Sequence, residues 1–95
     1  MSEDNDQTEQ FLRLVAEFQA RDLRLTSLQA ALLVAAEQGI ASDSRSFARL
    51  LGVAHALVLR ELNALVVMGG PLRIVKREAR TLRAHYVLGG EISVN

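Results

Sequence analysis

The chain has 95 residues, eleven of them Lys or Arg and eleven Asp or Glu, for a formal net charge of zero. That length makes one small domain, and an apolar fraction of 49% is enough to give it a core. The absence of Cys excludes disulfides and thiolate-based metal or redox sites. No apolar run reaches the roughly 18 residues of a membrane span, and the acidic start lacks the features of a signal or transit peptide. A cytoplasmic protein without membrane contact is the expectation.

Charge is unevenly placed. Residues 1–44 carry eight acids against three bases, and residues 45–95 carry eight bases against three acids, so the halves stand at −5 and +5. Such polarity points to an anionic partner for the C-terminal half. The plainer reading is that solvated surface charges have segregated by chance.

In chain order, a polar stretch Met1–Gln7 leads into a first helix beginning near Asp6 or Thr8. Asp6 and Glu9 have capping-box spacing there. Phe11, Leu14, Val15 and Phe18 fall at i, i+3, i+4 and i+7 on one face, and Glu17 and Arg21 can pair on the outside. This helix ends around Asp22–Arg24. Thr26 and Gln29 form a second capping box, with Leu25 set to staple onto Ala30, and open a helix over Ser27–Gln38. Its scarcity of polar residues makes it the central, most buried helix. Gly39 ends it, and Ile40-Ala41 is a short apolar link able to pair with a later strand. Ser42, Asp43 and Ser44 all offer N-caps to a helix at Ser44–Leu51.

Gly52 then supplies the positive φ that ends a helix without a Cβ clash. Val53 fills the corner, and a further helix runs from about Ala54 to Met68, stopped by Gly69-Gly70-Pro71. A helix, a Gly-containing turn and a second helix is the layout of a helix-turn-helix. Beyond it the period changes from helical to alternating. Leu72–Arg77 and Leu82–Leu88 read as two strands, with Glu78-Ala79-Arg80-Thr81 as a turn that contains no Gly. The whole is mainly α with a small β-hairpin, the plan of a winged helix-turn-helix. It divides into an acidic segment and amphipathic helix over 1–24, the winged helix-turn-helix over 25–90, and a tail over 91–95.

At the helical period, Val58, Leu62 and Leu65 share one face of the second motif helix, and Ala56, Arg60, Asn63 and Val67 share the opposite one. Base edges in the major groove present donors and acceptors, so a reading helix needs polar tips. Arg60 can fork onto guanine, Asn63 can bond adenine or a phosphate, and His55 at the helix start can meet a base or a phosphate. Leu57, Leu59, Val66 and Met68 widen the apolar surface beyond a normal stripe. Either the flanks are covered by the wing, the first helix or a second subunit, or the outer face binds protein through Leu57, Leu59 and Val67.

The hairpin concentrates cations: Arg73, Lys76, Arg77, Arg80 and Arg83 lie within eleven residues, opposed by Glu78 alone. Such a wing suits a minor groove or its flanking phosphates, with Arg80 at the tip and Arg77 and Arg83 on phosphates. Arg45 and Arg49 on the first motif helix are further candidates for the DNA backbone. The competing reading is an edge hairpin that uses Arg and Lys to discourage aggregation.

Leu25-Thr26-Ser27-Leu28-Gln29, Phe47-Ala48-Arg49-Leu50-Leu51-Gly52-Val53, Leu62-x-x-Leu65-x-x-x-Gly69 and Glu78-Ala79-Arg80 follow one another at fixed spacing. In that order they resemble the MarR family of bacterial transcription regulators, over roughly Leu25–Leu88. They match in turn the start of its second helix, its helix-turn-helix core, the end of its recognition helix and its acidic-x-Arg wing motif. The resemblance implies a sequence-specific, double-stranded DNA-binding regulator. The family has two further helices after the wing that build its dimer. Here the first helix takes that part, with Phe11, Leu14, Val15 and Phe18 either capping the core of one chain or pairing with a symmetry mate. A homodimer reading two half-sites is the expectation.

No enzyme chemistry stands out. His55 and His85 are thirty positions apart without an acid at ligand spacing, no nucleophile elbow is present, and Gly69-Gly70 precedes no Lys-Ser/Thr. No metal and no cofactor are expected. The rival to the DNA reading is a winged-helix protein-interaction module, either a regulatory subunit or an antirepressor.

Overall fold

A computed structural model describes residues 3–89, with side chains from Asp6 onward. Four helices, α1 (Glu3–Arg21), α2 (Ser27–Glu37), α3 (Ser44–Leu51) and α4 (His55–Val67), are followed by strands β1 (Leu72–Arg77) and β2 (Ala84–Leu88). The tail assigned to 91–95 lies outside the described residues.

Helix α2 is the hub because nearly all of it is apolar. Ala30–Ala35 are buried without interruption, so both sides of the helix need cover. Helix α1 covers one side and α4 the other. Of the two uses open to the apolar face of α1, the structure shows the intramolecular one. Val15 is buried, and Phe11, Leu14 and Phe18 are half-buried against the core. Helix α1 also starts earlier than its sequence suggested, so Asp6 sits inside the helix and caps nothing.

The capping box of α2 forms as expected. The Gln29 amide donates to Thr26 Oγ1 at 3.1 Å, and the Thr26 amide donates to Gln29 Oε1 at 3.1 Å. The same two side chains reach α4. Thr26 Oγ1 donates to Glu61 Oε1 at 3.1 Å, and Gln29 Nε2 donates to the Glu61 carbonyl at 3.5 Å. A local stop signal thus doubles as a tie between helices.

Asp43 is the residue that caps α3. Its Oδ2 accepts the amides of Arg45 and Ser46 at 3.0 and 2.9 Å. Gly52 closes the helix at φ +69°, which lets the Val53 amide donate back to the Ala48 carbonyl at 3.0 Å. That closure fixes the angle at which α4 departs. Val58, Leu62 and Leu65 of α4 are fully buried, as their shared face requires. Past its end, a Cβ on Gly70 would lie 2.6 Å from Leu65 Cδ1, so a larger residue at this close return has to displace the buried Leu65 side chain.

Strands β1 and β2 pair antiparallel, Leu72 opposite Leu88, Ile74 opposite Tyr86 and Arg77 opposite Ala84, with an irregularity at Val75. The second strand starts at Ala84 and not at Leu82, because Leu82 has φ +62° and belongs to the turn. Of the alternating set Leu82, Ala84, Tyr86 and Leu88, only Ala84 and Tyr86 enter the core. The link after α2 does pair with this strand, slightly later than Ile40-Ala41. The Tyr86 amide donates to the Ser42 carbonyl at 3.1 Å, and Asp43 bridges His85. Phe47, Leu32, Leu62 and Tyr86 are the largest buried side chains where these elements meet. Truncating Phe47 to Ala would cost about 3–5 kcal/mol. Among the described residues, no helix is long and apolar enough to cross a membrane.

Candidate nucleic-acid interface

The outward face of α4 carries the residues its period placed there: Ala56, Arg60, Asn63 and Val67 are all exposed. The flanking apolar side chains are covered within the chain. Leu59, Val66 and Met68 pack against the core, and Leu57 is half-buried. Helix α4 is flanked by α3, α2 and β1, while α1 lies on α2. Of Leu57, Leu59 and Val67, only Val67 stands open, at 86% exposure.

Two of the three residues assigned to base reading have partners inside the chain. Asn63 Oδ1 accepts a hydrogen bond from Arg77 Nη2 at 2.6 Å. Both side chains are exposed, and the bond lays the hairpin along the open face of α4 next to Arg60. To bond adenine through both ends of its amide, Asn63 must release Arg77. His55 is half-buried rather than a free polar tip, and its Nε2 lies 2.7 Å from Ser44 Oγ. Ser44 is fully buried, and its Oγ accepts the Ala84 amide at 2.9 Å, which leaves the hydroxyl proton for the imidazole. Burial first, and then the charges of Arg45 and Arg83, hold His55 below its ordinary pKa despite the opposing pull of Asp43. Neutral His55 therefore ties the start of α4 to the start of α3 and, through Ser44, to β2. These contacts give His55 a positional role.

The wing residues divide in the same way. Arg73, Lys76, Arg77 and Arg80 are exposed. Arg83 turns inward, with Nε 3.3 Å from Asp43 Oδ2, in charge contact but without the alignment of a hydrogen bond. It faces the cap of α3 and is only partly available to a phosphate. For Asp43 the strongest single influence is burial, which raises its pKa. The hydrogen bonds from Ser46, the Arg83 charge and the Arg45 amide outweigh that and hold the carboxyl below its usual value. Glu78, the only acid of the hairpin, is 2.8 Å from His85 Nε2 and accepts from Thr81 Oγ1 at 3.0 Å. These two contacts, His85 first, lower its pKa. Arg45 Nη1 donates to the Thr81 carbonyl at 3.5 Å, joining α3 to the wing tip. Arg45 and Arg49 also line, with Ala48, Val53 and His55, a shallow cleft of about 210 Å³.

Two residues that matter here went unseen in the sequence. Ser44 looked like one of three interchangeable caps, and its partner Ala84 is forty positions away. Leu82 left only a weak signal: a Gly-free turn that uses a positive-φ position has to fill it with another residue type, and Leu82 does so here. Among the described residues, no group of three or more His, Asp or Glu is placed to hold a metal ion.

Comparison of the chain with protein-family models, with curated proteins and with solved structures gave no match.

Proposed function

We propose that the chain is a winged helix-turn-helix of MarR-like type, a transcription regulator that binds double-stranded DNA sequence-specifically as a homodimer. The observation that carries the reading is the Arg77–Asn63 bond. It sets the cation-rich hairpin beside the open face of α4, in the half of the chain with net charge +5.

In this reading α4 lies in the major groove. Arg60 is the principal base reader, because it is exposed and its fork matches guanine O6 and N7. Asn63 contributes a second contact once it parts from Arg77. Arg73, Lys76 and Arg80 of the wing, with Arg45 and Arg49 of α3, neutralise phosphates and fix the register. His55, Ser44 and Ala84 hold the three elements at their mutual angles. The dimer contact uses what α1 leaves exposed: Leu12 at 59% and the open sides of Phe11, Leu14 and Phe18. Val15 is spent in the core. The protein-interaction alternative keeps only Val67 of its three residues in the open, and a single exposed apolar residue is ordinary.

The reading is tested by selecting duplexes from a random pool with purified protein. Enrichment of one motif is the expected result, and Arg60→Ala is expected to relax the preference at a single position. Recovery of no duplex at low salt overturns it.

A further inference from the structure

Leu82 is the only non-glycine residue at positive φ among the described residues, at +62°. An L-residue there clashes with its own backbone, and a leucine has no polar group to offset the cost locally. Gly or Asn would fit the position better. The leucine is also 59% exposed, so it contributes little to the core. The chain therefore accepts both strain and solvent exposure to keep an apolar side chain at this point.

The surrounding turn is built to hold it. The Leu82 amide donates to the Glu78 carbonyl at 2.8 Å, and the Glu78 amide donates to the Arg83 carbonyl at 2.9 Å. Thr81 Oγ1 donates to Glu78 Oε1 and accepts the Arg83 amide at 3.2 Å. His85 holds the other oxygen of Glu78, and Arg45 holds the Thr81 carbonyl. Strain that is over-determined in this way marks sites of function. The neighbouring Arg83 is turned onto Asp43, while Arg80, two positions away, and Arg45, bonded to the Thr81 carbonyl, are exposed. An exposed apolar prong flanked by Arg80 and Arg45 matches a narrow groove with anionic walls and an apolar stack of bases within.

We propose that Leu82 is an apolar wedge that enters the minor groove of duplex DNA, parts one base step and bends the duplex, while Arg80 and Arg45 hold the phosphates beside it. This rests on the DNA-binding reading above and assigns the wing tip a role that phosphate contact alone does not. No bond is made or broken. The cost of unstacking is offset by the extra cation–phosphate contact that the bend permits.

The test uses the full chain and a duplex selected by the wild-type protein. The duplex carries a donor and an acceptor dye at its ends and, in a second series, 2-aminopurine at successive steps under the wing. Wild-type protein is expected to raise energy transfer between the ends and the 2-aminopurine emission at one step. Leu82→Asn and Leu82→Gly both suit positive φ. They are expected to melt no lower than wild type, to bind within about tenfold of it, and to lose both signals. Arg80→Ala is expected to weaken binding while the bend persists at saturation. A wild-type complex with straight DNA, or a Leu82→Asn complex that keeps both signals, overturns the wedge while leaving the DNA reading intact. Selection of no duplex at all overturns the DNA reading and the wedge with it.

Discussion

Ser44→Ala is the substitution through which the geometry beneath the interface can be tested most sharply. The hydroxyl is fully buried and bonded on two sides, to the Ala84 amide at 2.9 Å and to His55 Nε2 at 2.7 Å. Ala84 is itself fully buried, so no water replaces the lost acceptor. Leaving one buried amide unpaired costs about 1–3 kcal/mol, and the lost bond to the imidazole adds about 1 kcal/mol. Alanine recovers roughly 0.5 kcal/mol through helix propensity. The net loss is about 1.5–3.5 kcal/mol, which in a domain of this size lowers the melting temperature by roughly 6–28 °C. Thermal unfolding followed by circular dichroism measures it, and hydrogen exchange at the Ala84 amide shows whether the joint between α3 and β2 has opened. A melting temperature within about 3 °C of wild type, with Ala84 still protected, would refute the claim that Ser44 joins these elements.

Three further outcomes are expected of the same structure. Gly52→Ala should cost about 1–2 kcal/mol in urea unfolding, because the residue sits at φ +69° with open space around it and strain alone sets the penalty. Folding keeps His55 neutral, so the unfolded chain binds its proton more tightly. Stability is then fully present above the unfolded-state value near 6.5 and declines as the pH falls through that value toward the lowered folded pKa. Equilibrium unfolding between pH 7 and pH 5 should show this decline in wild type and a smaller one in His55→Gln, and equal slopes would count against it. Val67→Asp should change stability by no more than about 0.5 kcal/mol, since the side chain is 86% exposed. If it also stripped a co-purifying protein from the chain, the protein-interaction reading would gain the ground that the DNA reading loses.

What could be read from the sequence was what is local or periodic. The capping box at Thr26 and Gln29, the span Ser44–Leu51 and the stop at Gly52 depend on residues within a few positions of one another. The buried and open faces of α4 follow from its period, and both came out as the pattern implied. The order of four helices and a hairpin was legible for the same reason. What could not be read was how polar side chains pair over distance. His55 meets Ser44 eleven positions away, Asn63 meets Arg77 fourteen away and Arg83 meets Asp43 forty away, and each pairing changes the availability of a residue assigned to DNA. The apolar face of α1 was ambiguous because a helix stripe looks alike whether it covers its own core or a partner's. Here Val15 is buried, and Phe11, Leu14 and Phe18 lean on the core of their own chain with part of their surface left open. The early start of α1 and the late start of β2 have separate causes: a polar first turn that continues the helix, and a leucine at positive φ that postpones the strand.

The central claim is that a cation-bearing face built from α3, α4 and the hairpin binds duplex DNA. The most direct measurement is the affinity for a selected duplex across a salt series, for wild type, Arg80→Ala and Arg60→Ala. Five exposed cations outside the Asn63 and Asp43 pairings, namely Arg45, Arg49, Arg73, Lys76 and Arg80, are assigned to phosphates. Log affinity should then fall against log salt with a slope of about −4 to −5 per protomer. Arg80→Ala should reduce that slope by about one, while Arg60→Ala should keep it and narrow the gap between selected and scrambled duplexes. An affinity that does not change with salt, or no binding to any duplex at low ionic strength, would contradict it.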